Sequence, residues 1–111
     1  MTDFIDSPNP PTPERARWSL EIGGKFPYDK PDSWWADSHD SHPVLLAPSW
    51  QVSAARGIVA NLRGRRGIKY ELQTDRIDED VRQEIILTLA AIIEAAPAWY
   101  AEQQQEQGHD A

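Results

Sequence analysis

Cysteine is absent from this chain of 111 residues, and methionine occurs once. No disulfide framework, thiolate metal site or cysteine nucleophile is available. Long apolar runs are missing too. The longest, Ile85 to Ile93, falls well short of the ~20 residues a bilayer span requires. The opening residues hold acids and prolines instead of a basic region followed by an apolar one. The sequence therefore predicts no signal peptide, no membrane association and a cytoplasmic location, or a place in the virion if a phage encodes it. No Gly-x-Ser-x-Gly elbow, Walker loop or dinucleotide fingerprint occurs, so no catalytic residue and no cofactor is assigned.

Acid is missing from one block of an otherwise acidic chain. The formal net charge is -7, yet residues 41–70 contain no Asp or Glu and carry +5. Residues 1–40 carry -4 and residues 71–111 carry -8. Such a block pairs either with its own acidic neighbours or with an oppositely charged partner. At 12.6 kDa there is room for one domain.

The pattern along the chain predicts an α+β fold: a small two-layer domain with two or three short strands against two helices. Residues 1–13, with four prolines, read as an extended arm. Residues 14–100 read as the domain. Trp18, Leu20 and Ile22 alternate with polar residues, which predicts a strand over 16–22. A Pro-punctuated collar follows over 25–48. In it, Pro31-Asp32-Ser33 opens one helical turn and Val44 to Ala47 forms a short buried strand. Ser49 caps a helix over 49–63, closed by Arg63-Gly64. Ile68, Tyr70 and Leu72 alternate over a second strand, 67–74, which would set Lys69 opposite Glu21. Asp78 opens the main helix, 78–96, with a core stripe of Val81, Ile85, Leu89, Ile92 and Ala96 widened by Ile86 and Ile93, and Pro97 breaks or kinks it. Residues 101–111 form a Gln/Glu-rich tail.

Three groups of residues are candidates for function. Two imidazoles, His39 and His42, stand three apart with Asp37 and Asp40 interleaved, a donor set suited to Zn, Ni or Mn if it converges across one turn. The competing reading is a polar loop in which Ser and Asp cap local backbone groups. The second group is the basic patch: Arg56, Arg63, Arg65, Arg66 and Lys69. A Gly-flanked Arg loop can contact phosphates, although an acidic chain repels a polyanion at long range. The third is aromatic. A core this small cannot seal five indoles, and Trp34, Trp35, Trp99 and Tyr100 are the residues expected at an interface.

Together these features predict a non-enzymatic protein-interaction or assembly component of the structural or accessory kind found in phage particles. Its arm, tail and aromatics would contact neighbouring subunits, copies of itself or another protein. The alternative is a nucleic-acid or phosphate-binding accessory protein using the Arg63–Lys69 loop. A metal-dependent enzyme at His39 and His42 ranks third.

Overall fold

A computed structural model describes residues 11–36 and 43–108. The described residues contain helices and turns and no strand, which overturns the α+β expectation. The helices are α1 (Pro13–Lys25), α2 (Asp32–Trp35), α3 (Trp50–Arg63) and α4 (Glu79–Gly108). Helix α3 is central, with α1 packed on one side and α4 on the other.

Helix α1 replaces the strand expected over 16–22. Its start is well specified. The Thr12 side chain accepts from the Arg15 backbone N–H at 3.2 Å, Pro13 sits in the first turn where its missing N–H costs nothing, and Glu14 meets the positive end of the helix. Its buried positions are Ser19, Gly23 and Gly24, while Trp18 and Leu20 remain largely exposed. The approach of α1 to α3 is close where glycines meet it: Gly23 lies against the Arg56–Gly57 backbone and Leu20 sits over Gly57, while Gly24 faces Val44. Asn61 of α3 donates to the Ser19 hydroxyl across this contact at 3.0 Å.

The second expected strand, 67–74, is a run of turns. Arg65 accepts from the N–H groups of Ile68 and Lys69, and Ile68 accepts from those of Glu71 and Leu72, at 3.0–3.2 Å. These bonds are local. With α1 helical, the segment has no neighbouring strand to pair with, and Lys69 has no ladder partner in Glu21. The third expected strand, Val44 to Ala47, has no regular structure and is tied to α1 by a backbone bond, Leu45 N–H to Gly24 C=O at 2.9 Å. Val44 and Leu46 face solvent, so it is not buried.

Helix α2 is the single turn opened by Pro31-Asp32-Ser33. Helix α3 begins with the Ser49 hydroxyl accepting from Val52 N–H at 3.2 Å and stops at Gly64. Helix α4 runs through Pro97 instead of ending there. Proline in a helix interior removes one donor and crowds the preceding turn. The C-terminal residues through Gly108 continue the helix.

The core consists of Tyr28, Val52, Ala55, Val59, Ile86 and Ala90, with Ala47, Ile85, Leu89 and Ile93 against it. Of the expected α4 stripe, Ile85, Ile86, Leu89 and Ile93 meet the core, joined by Ala90, whereas Val81 and Ile92 face solvent. Arg82 holds the N-terminal end of this face. Its side chain is 0% exposed and donates five hydrogen bonds. The acceptors are the carbonyls of Tyr28, Lys30, Thr74 and Ile77 and the Asp32 carboxylate, at 2.6–3.0 Å. Glu79 adds a parallel tie, accepting from the Asp32 N–H at 2.9 Å.

Tyr28 offers a simple test of this core. Its hydroxyl is buried and has no hydrogen-bond partner among the described residues. Burial raises its pKa, against the opposing pull of the Arg63 and Arg82 charges. A buried unpartnered hydroxyl costs its desolvation without return. Tyr28→Phe is expected to leave stability unchanged or raise it by about 1 kcal/mol, read as a denaturation midpoint. A comparable loss would mean that the hydroxyl is bonded after all.

Candidate binding cleft and exposed helix face

A cavity of about 620 Å³ opens between α1, the C-terminal end of α3 and the turns after it. Its chemistry comes from Arg15 and Trp18 on α1, Phe26, Trp35 of α2, Arg63 on α3, and Lys69. Helical spacing puts Arg15 and Trp18 on one face, with the guanidinium 5.4 Å from the indole centre. Arg63 is flanked by two rings, 5.3 Å from the centre of Tyr28 and 5.4 Å from that of Trp35. Desolvation by these neighbours lowers the Arg63 pKa, with the Tyr28 phenol opposing the shift and the Arg82 charge adding to it. Arg63 has no carboxylate partner among the described residues. The Trp35 indole N–H is buried and likewise unpartnered there. No acidic residue lines the cavity.

The basic patch read from sequence does not act as one surface. Arg56 is turned inward and grips Asp29 with both arms of its guanidinium, at 2.9 and 3.0 Å. Arg65 donates to Asn61 one turn earlier at 2.8 Å. Arg66 is exposed and does not line the cavity, while Arg63 and Lys69 do. Arg15, Trp18 and Phe26 were not anticipated as site residues. Reading 16–22 as a strand separated Arg15 from Trp18, and only a helix brings them together.

The aromatic candidates divide in the same way. Trp34 and Trp35 are half-buried and meet edge to face, with centres 4.9 Å apart. Lys30 lies over the Trp34 ring at 6.0 Å. Trp99 and Tyr100 are 59% and 60% exposed, as are Leu87 (63%) and Ile92 (59%) on the same helix. From Ile85 to Ala101 the helix carries one charge, Glu94, which accepts a hydrogen bond from the Gln51 side chain of α3. By length and composition the span Glu79–Glu106 is sufficient to cross a membrane, although the apolar run read from sequence is far shorter.

The chain matches no family model, no curated protein and no solved structure. Asp37, His39, Asp40 and His42 lie outside the described residues, and among those described no cluster of three or more His, Asp or Glu could hold a metal ion.

Proposed function

We propose that this chain is a non-enzymatic assembly component that associates with a second copy through the outer face of α4. One observation carries the reading: a helix almost free of charge over 85–101 leaves Leu87, Ile92, Trp99 and Tyr100 in water. Large exposed apolar side chains gathered along one helix are a mark of association, and exposed Trp and Tyr are favoured anchors. The spacing fits a helical partner. Val81, Ile85, Thr88, Ile92, Ala95 and Trp99 follow one another by four, three, four, three and four, a heptad seam. Small residues at Thr88 and Ala95 alternate with large ones, as interdigitating layers require. A hollow of about 300 Å³ lined by Glu84, Ile85, Thr88 and Leu89 lies along this seam and is large enough to receive a side chain.

A bilayer fits the same surface less well. Arg82 is locked into the fold by its five bonds, and acids flank the apolar stretch at Glu79, Asp80, Glu102 and Glu106. Those acids are repelled by anionic lipid headgroups.

The test is absolute mass in solution over a range of protein and salt concentrations. The wild type is expected to form dimers or larger species at about 100 µM, an affinity well within reach of a modest interface. Ile92→Glu combined with Trp99→Ala is expected to return a monomer with unchanged helix content. A wild-type monomer at every concentration would refute the reading. So would a monomer in buffer that partitions into zwitterionic vesicles through α4.

A further inference from the structure

We infer that the cleft between α1 and the end of α3 binds a nucleotide unit, with the phosphate held by Arg15, Arg63 and Lys69 and the base laid against the Trp18, Phe26 and Trp35 side. The inference is independent of self-association through α4. It starts from sign. A chain of net charge -7 lines this cleft with three cations and no carboxylate. Two of those cations stand over aromatic rings, and Arg63 has given up water without gaining a carboxylate partner among the described residues. The two rings offset part of this desolvation, and in a low-dielectric wall the attraction to an arriving anion is strengthened.

The hydrogen-bonding inventory narrows the ligand. Arginine, lysine and the indole N–H donate and do not accept. The Gln73 amide can do either. A partner for this wall must be rich in acceptors, which suits phosphate oxygens together with ring nitrogens and carbonyls of a base. Rings and guanidinium planes supply flat faces on which a base stacks. At about 620 Å³ the cavity is the size of known small-molecule sites and admits one nucleotide. A duplex is disfavoured because the acidic surface outside the cleft repels a long polyanion.

Titration calorimetry on the full chain at low salt tests this with four probes: adenosine monophosphate, adenosine, inorganic phosphate and an oligothymidylate. Saturable binding of the nucleotide is expected, at least about tenfold tighter than of adenosine or of inorganic phosphate. Lys69→Glu and Arg15→Glu should each weaken it by about tenfold. Lys69 is exposed, and Glu at position 15 would complete a capping box with Thr12, so neither change threatens the fold. Unchanged far-ultraviolet circular dichroism confirms this. Oligothymidylate binding more tightly than the monophosphate places the nucleotide within a single strand; the reverse order identifies a free nucleotide; both support the site. Phosphate binding as tightly as the monophosphate, wild-type affinity in both charge-reversal variants, or no saturation by any probe would overturn it. Ile92→Glu should leave nucleotide affinity unchanged and Lys69→Glu should leave self-association unchanged, so the two proposals fail separately.

Discussion

Arg82→Ala is expected to cost about 3–5 kcal/mol, the largest loss of any single substitution in this chain. The size follows from what remains behind. The guanidinium is wholly buried and joins three segments: the loop at Tyr28 and Lys30, the start of α2 at Asp32, and the turns at Thr74 and Ile77. Alanine would leave four carbonyls without their donor, each bearing a desolvation cost of about 1–3 kcal/mol wherever water cannot reach it. The ion pair itself contributes little, because the Asp32 side chain is 68% exposed and its charge is screened by solvent. The contrast supplies an internal control. Asp32→Ala should cost under about 1 kcal/mol, and Arg82→Lys should recover less than half of the alanine loss, since one ammonium group cannot span five acceptors. Denaturant unfolding gives the magnitudes. Amide exchange should show residues 27–32 and 74–78 opening first in any variant that still folds. A loss below about 1 kcal/mol for Arg82→Ala would mean that water takes over the guanidinium's role, and that the three segments are held by the small apolar core.

The legible and illegible parts of this fold differ in where their information resides. Helix α3 was legible because its signals are local: Ser49 caps it, Val52, Ala55 and Val59 recur at helical spacing, and Gly64 stops it. Helix α1 is hard to read in the sequence because its closest approach to α3 is made at Gly23, which carries no hydropathy signal, while Trp18, Leu20 and Ile22 mimic a strand. The better evidence was Thr12-Pro13-Glu14, a cap, a first-turn proline and a dipole-matched acid in succession. The second strand then failed as well, because a strand exists only with a partner, and 67–74 closes its hydrogen bonds on itself. The candidate cleft inherited both errors. Arg63 and Lys69 were visible as basic residues, but their companions Arg15 and Trp18 were placed in or beside a strand. Arg82 does carry a signal, since a lone cation at the N-terminal end of an apolar helix opposes the helix dipole and so calls for a compensating partner. Finally, Arg56 counted toward an outward patch when its partner, Asp29, sits 27 positions earlier in the chain and is brought near only by folding.

Gly23→Ala is the second large effect, and its sign is diagnostic. Within a helix, alanine is favoured over glycine by up to ~1 kcal/mol, so a free α1 would be stabilised. In this fold the added methyl would lie 2.6 Å from the Arg56 carbonyl carbon and oxygen and 2.8 Å from the Gly57 nitrogen, all backbone of α3. Backbone in the middle of a helix cannot rotate aside, so α1 must retreat. Overpacking of this kind costs about 1–3 kcal/mol, and the net result is a loss. Gly24→Ala is the comparison: its methyl meets Val44 Cγ1 at 2.7 Å, the tip of an exposed side chain that can turn away. That variant should be close to neutral. The consequence reaches the candidate cleft, because Arg15 and Trp18 travel with α1 while Arg63 belongs to α3. Withdrawal of α1 separates the cations proposed to share one phosphate. Gly23→Ala is therefore expected to weaken nucleotide binding by about tenfold or more, although Gly23 does not line the cavity, and Gly24→Ala should weaken it little. A stabilised Gly23→Ala variant with full affinity would show that α1 does not rest on α3 at all.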